Sequence, residues 1–115
     1  MMKLSEVIEA IDGQALCCKD LLDKEVKFGF SSDLMSDVLT LRDDDILLIT
    51  GLANIQSIRT AELSDINAIV LVRNKAANQA MIDMATDSDI MIITTKYSMF
   101  KTSGLLFDKG LSPIY

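Results

Sequence analysis

The sequence predicts an α/β domain: a mostly parallel, five-stranded sheet flanked by helices. Three observations carry that prediction. The run Ile46–Ile49 is apolar at every position and ends in Thr50–Gly51. A helical stretch of about eleven residues follows it, with Ile55, Ile58 and Ala61 on one side. A second apolar run, Ala68–Val72, closes the unit. Strands that are apolar on both faces belong to parallel sheets covered by helices, and a strand–helix–strand unit of this length is a βαβ crossover. Strands at 46–50, 68–72 and 90–94 are therefore expected to be parallel neighbours joined by right-handed crossovers.

The remaining elements follow in order. Ser5 is a candidate N-cap for a helix that places Val7, Ile8 and Ile11 on one face, and Asp12–Gly13 stops it with a turn. Residues 14–18 read as a short strand with one of Cys17 and Cys18 facing in and the other out. Residues 26–30 alternate Val, Lys, Phe, Gly, Phe, which predicts a half-exposed strand near a sheet edge. Ser32 is a candidate N-cap and Asp33 adds negative charge to the first turn of a helix with Leu34, Met35, Val38 and Leu39 buried. Asp43, Asp44 and Asp45 lack the alternation and closing Glu of a calcium loop, so they read as a solvated turn. Asn54 is the natural cap of the crossover helix. Ala77, Ala80, Met81, Met84 and Ala85 repeat at i, i+3, i+4, i+7 and i+8, which predicts a helix over 77–87. Ser98 caps a last helix with Met99, Phe100, Leu106 and Phe107 inward, and Gly110 ends it.

Composition narrows the function. The chain has 115 residues, enough for one core, so residues 1–115 are expected to form a single domain. The net charge of −6, with scattered Lys and Arg, disfavours nucleic acid. There is no His, which removes the commonest general base and zinc ligand. No metal site and no cofactor are expected. The N-terminal residues include Glu6 and Glu9 and no long apolar core of a signal peptide, and no run is long enough to span a membrane. A cytoplasmic protein with no membrane partner is the expectation. No P-loop, no G-x-G-x-x-G after a strand and no G-x-S-x-G elbow occurs.

In an open α/β sheet, ligands bind beyond the carboxyl ends of the parallel strands. Three loops should meet there, offering Thr50, Gly51 and Asn54, then Arg73 and Asn74 beside Lys75, then Thr94, Thr95, Lys96, Tyr97 and Ser98. Gly51 permits close backbone approach, the capped helix starts offer N–H groups to an anion, and the cations supply charge. Each residue also has a plain structural role open to it: Gly51 as a tight turn, Asn54 and Ser98 as simple caps.

Gly29–Leu39 (G-F-S-S-D-L-M-S-D-V-L), Ile46–Ala61 (I-L-L-I-T-G-L-A-N-I-Q-S-I-R-T-A) and Ile90–Leu105 (I-M-I-I-T-T-K-Y-S-M-F-K-T-S-G-L) together resemble the DRTGG domain family, over nearly the whole chain. The literal Asp-Arg-Thr-Gly-Gly string is absent. The resemblance implies a fold like the N-terminal domain of HPr kinase/phosphorylase. It also implies a non-catalytic regulatory role, as in related domains that accompany CBS pairs and phosphotransacetylases. Two functional classes follow. The first is a regulatory and dimerisation module, a homodimer that senses a small anionic metabolite or nucleotide and acts with a metabolic or redox enzyme. The second is a small enzyme of unrecognised type, using Lys96, Tyr97 or Arg73 on a phosphorylated or carboxylated metabolite. The apolar share of a small chain and the adaptable side chains of Met35, Met81 and Met99 are further motives for a homodimer.

Overall fold

The computed structural model describes residues 1–115. The strands are β1 (Met2–Lys3), β2 (Gln14–Ala15), β3 (Glu25–Val26), β4 (Phe28–Ser31), β5 (Ile46–Thr50), β6 (Ala68–Leu71), β7 (Met91–Thr94) and β8 (Ser112–Pro113). The helices are α1 (Leu4–Ala10), α2 (Met35–Val38), α3 (Ile55–Leu63), α4 (Gln79–Asp87) and α5 (Met99–Asp108). The main sheet has six strands in the order β2-β7-β6-β5-β4-β8. All neighbours are parallel except β2, which runs antiparallel to β7. A separate antiparallel ribbon pairs β1 with β3.

The expected parallel trio is present as β5, β6 and β7, in register from Leu47 opposite Ala68 to Leu71 opposite Thr94. The sheet gains a sixth strand, β8, which a two-residue Ser-Pro segment does not announce. Proline is tolerated there because β8 is an edge strand.

Alternation along the buried strands builds two cores. Leu47, Ile49, Val70, Met91 and Ile93 point to one face and meet Leu4, Val7 and Ile11 around α1 and Leu106 of α5. Ile46, Leu48, Ile69, Leu71 and Ile92 point to the other and meet Val38 of α2, Ile58 of α3 and Met81 of α4. Each large aliphatic side chain fully buried this way contributes about 1.5–3 kcal/mol. The layering also has a topological logic. The chain steps from β4 to β7 through α2, α3 and α4 on one face. It then returns across the sheet to β8 through α5 on the other, as right-handed crossovers in opposite directions require.

Several local expectations change. Helix α1 begins at Leu4, one residue before Ser5, and its start is tied by Glu6 Oε1 accepting the Lys3 N–H at 3.0 Å. Ser32 Oγ accepts the Leu34 N–H at 3.0 Å and closes a turn ahead of α2, whose N-cap is Leu34, itself exposed. Cys17 and Cys18 lie after β2 rather than in it, with Cys17 buried and Cys18 half-buried at a φ of 55°. Leu39 and Ala80 are exposed, and α4 starts at Gln79 with Asn78 as its cap. Phe100 and Phe107 point outward, 90% and 67% exposed. Thr102 and Leu106, one turn apart, set the inner face of α5; Phe100 lies about 200° round the helix from Thr102. Asn54, Ser98 and Gly110 hold the places expected: the two caps accept N–H groups from Gln56 and Lys101, and Gly110 ends α5 at a φ of 106°. No helix is long and apolar enough to cross a membrane.

Candidate functional site

The loops after β5, β6 and β7 gather at the carboxyl edge of the sheet, but they form two separate arrangements. The first lies beyond β5. Asp33, in the turn that follows β4, reaches across to its neighbour. Its Oδ1 accepts the Gly51 N–H at 2.6 Å and the Thr50 hydroxyl at 3.0 Å. Its Oδ2 lies 3.5 Å from Arg73 Nη2. The Gly51 amide hydrogen bond comes first among the causes that hold the Asp33 carboxyl below its ordinary value of 3.8; burial opposes it, and Thr50 and Arg73 add to it. Thr50 Oγ1 in turn accepts the Leu52 N–H at 3.1 Å. The space a ligand would use above Gly51 is filled by Arg73, whose guanidinium would collide with a β-carbon at that position. Thr50, Gly51 and Arg73 therefore hold a carboxylate supplied by the chain itself, and Asn54 is engaged as the cap of α3.

The second arrangement is open. Helix α4 leaves β6 for one face of the sheet and α5 leaves β7 for the other, so the connections after these adjacent strands diverge. Such a topological switch point leaves a crevice in an α/β sheet, and ligands bind there. A cleft of about 500 Å³ occupies this position. Asn74 and Lys75 line one side, Thr94, Thr95 and Lys96 another, and Gln14 and Asp12 a third. Leu16, Ala76, Ala77 and Ile82 give it an apolar portion. Arg73 and Asn74 both adopt positive φ, 61° and 58°, and their N–H groups donate to the Tyr97 and Thr95 carbonyls at 2.8 and 3.0 Å. These bonds fix the loop that bears Lys75. Thr95 is committed inward: its hydroxyl donates to the Ile11 carbonyl at 2.8 Å and accepts the Tyr97 N–H at 3.2 Å.

Of the ten residues that the sequence singles out, Asn74, Thr94, Thr95 and Lys96 share the open cleft. Thr50, Gly51 and Arg73 share the self-filled one. Asn54 and Ser98 are caps, and Tyr97 packs against the core with Lys101 Nζ over its ring at 3.8 Å. Sequence reasoning missed the role of Asp33 and the cleft wall from β2. The signal for Asp33 was present: an acid just after one parallel strand faces the loop after the next.

Fold and cleft together define an α/β domain with a polar strand-end crevice. No family model matches the sequence, and no curated protein matches it. Among solved structures, the chain is similar to the CBS and DRTGG domains of the regulatory region of Clostridium perfringens pyrophosphatase, complexed with its activator diadenosine tetraphosphate. The TM-score is 0.72 at 12% identity over 97% of this chain. The chain spans about half the length of that one, 51%. The likeness shows the fold, which is DRTGG-like, in agreement with the fold that the sequence resemblance implies.

Proposed function

We propose that residues 1–115 form a single non-catalytic regulatory module that pairs with itself and binds a small anionic metabolite or nucleotide in the switch-point cleft. The observation that carries this reading is the cleft: two lysines, Lys75 and Lys96, stand beside an apolar portion at the place where open α/β sheets bind ligands. Its size falls within the roughly 300–1,000 Å³ of ordinary ligand sites. The lysines suit phosphate groups and the Leu16, Ala77 and Ile82 side chains suit a base. Asp12, at one margin, disfavours a ligand whose charge is spread over its whole surface. Two of the usual catalytic parts are not on offer: the Thr95 hydroxyl is hydrogen-bonded inward, and the chain has no His to serve as base. The structurally similar pyrophosphatase region takes a dinucleotide activator, which puts adenine nucleotides first among the ligands to try. A metabolic or redox enzyme is the partner whose activity such a module would govern.

Isothermal titration with AMP, ATP, diadenosine tetraphosphate and inorganic phosphate tests the reading. A nucleotide should bind, and Lys96→Ala and Lys75→Ala should each weaken it by about 1–3 kcal/mol with the fold intact, the loss expected for a hydrogen bond to a charged group. Unchanged affinity in both variants would put the ligand elsewhere. Turnover of the nucleotide would favour an enzyme.

A further inference from the structure

Phe100 and Phe107 are 90% and 67% exposed on the outer side of α5, and neither the cleft nor the core uses them. Gly104 lies between them, with open space where its β-carbon would be. Beside this stripe, a groove of about 350 Å³ runs between α5 and the β4–β8 edge of the sheet, floored by Gly29, Ile49, Leu106 and Leu111. Large apolar side chains exposed together around an apolar groove mark an interaction surface.

We propose that this groove binds a second copy of the same chain, α5 packing antiparallel on α5 about a two-fold axis near Gly104. This rests on the pairing half of the proposed function and names the face that pairs. The shape is self-complementary. Phe100 precedes Gly104 by four residues and Phe107 follows it by three, so a two-fold sets Phe100 of one copy opposite Phe107 of the other. A glycine at the crossing lets the helices approach, and each phenyl meets groove wall of the partner. Such an isologous contact closes at two copies.

Charge selects the same partner. The chain carries −6 overall, so like copies repel across most of the surface. Helix α5 and the residues after it carry Lys101 and Lys109 against Asp108 alone, so the excess negative charge lies elsewhere and does not oppose pairing on this face. A basic partner would be drawn to the acidic surfaces instead. The area is also adequate. Four phenyl side chains, exposed to 90% and 67% on each copy, with an equal area of wall covered, reach the lower end of the roughly 1,200–2,000 Å² of a stable interface.

Light scattering on the intact chain at tens of micromolar concentration tests this. The wild type should have twice the chain mass. Phe100→Asp and Phe107→Asp should each halve it without changing the far-UV circular dichroism, while Leu63→Asp, at an exposed leucine on α3, should leave it unchanged. Gly104→Cys gives an independent reading if an aspartate variant fails to fold. Mild oxidation should link its copies at the two-fold, where the two positions 104 face each other, and Cys17, buried, and Cys18, half-buried, are the less accessible thiols. A dimeric wild type whose Phe100→Asp and Phe107→Asp variants stay dimeric, or whose Gly104→Cys form stays dimeric without cross-linking, overturns the face and leaves pairing standing. A monomeric wild type overturns both, and leaves the groove to a different occupant.

Discussion

Replacing Asp33 with Ala should cost about 2–5 kcal/mol, most of it through one backbone amide. The Gly51 N–H is buried and donates to Asp33 at 2.6 Å. Truncation leaves it without an acceptor, which costs about 1–3 kcal/mol for a buried donor. Thr50 is fully buried and loses the acceptor of its hydroxyl hydrogen, adding roughly 1 kcal/mol, softened because its oxygen still receives the Leu52 N–H. The Arg73 contact contributes least. Both side chains are about half exposed, 46% and 48%, and the separation is 3.5 Å. Exposed pairs of this kind are worth about 0–1 kcal/mol. Urea denaturation at pH 7, followed by far-UV circular dichroism, should therefore rank the variants Asp33→Ala, then Asp33→Asn, then Arg73→Ala, in falling order of damage. Asparagine keeps an oxygen for Gly51 and Thr50. The pH dependence has a definite sign. Because folding lowers the Asp33 pKa, its ionised form stabilises fully above the unfolded value near 4, and the benefit fades as pH falls below that. The stability gap between wild type and Asp33→Ala should shrink from pH 5 downward. If Arg73→Ala proves as damaging as Asp33→Ala, the amide is not what Asp33 serves; if the gap does not narrow in acid, the ionised carboxylate serves it no better than the neutral acid.

Two further outcomes follow from a buried hydroxyl and a half-buried thiol. Thr102 Oγ1 is buried without a hydrogen-bond partner, so Thr102→Val, which removes the hydroxyl and keeps the shape, should hold or raise the melting temperature; a fall of several degrees would mean the hydroxyl has a partner in solution. The Cys18 thiol is pushed up from 9.0 to about 11, by burial first and by neighbouring Cys17 next, so its reaction with a disulfide reagent at pH 8 should be far slower than that of a free thiol. Stability should fall between about pH 9 and 11, where the unfolded chain releases this proton and the folded one does not.

What the sequence made legible follows from burial. Strands β5, β6 and β7 are apolar throughout because helices cover both faces, and such runs survive any choice of neighbours. Caps at Asn54 and Ser98 are local, one side chain meeting the N–H two or three residues on, so they too can be read directly. Elements that depend on distant partners were not legible. Strand β8 exists because Gly29 and Phe28 offer an edge to Ser112 and Pro113. The Phe100 and Phe107 positions invert because Thr102, polar by composition, takes the inner face of α5. At the site, position beyond strand ends was readable, but occupancy was not. Gly51 has the features of an anion loop, and only the fold shows that Asp33 already fills it.

The strand order also bears on how the chain reaches its fold. Strands β4 to β7 lie side by side in the order they are made, each joined to the next by a helix that packs beside it, so this central block can assemble by successive local steps. The two edges cannot. Strand β2 waits for β7, and β8 joins β4, partners about eighty residues apart in sequence that meet only once the central block stands. Until α5 has crossed the sheet, the face built from Leu47, Ile49, Val70 and Ile93 lacks Leu106 and Leu111, and the outer edge of β4 is open. Until then that face rests on α1 and the β1–β3 ribbon, which makes docking of α5 the step that completes its cover and closes the open edge of β4.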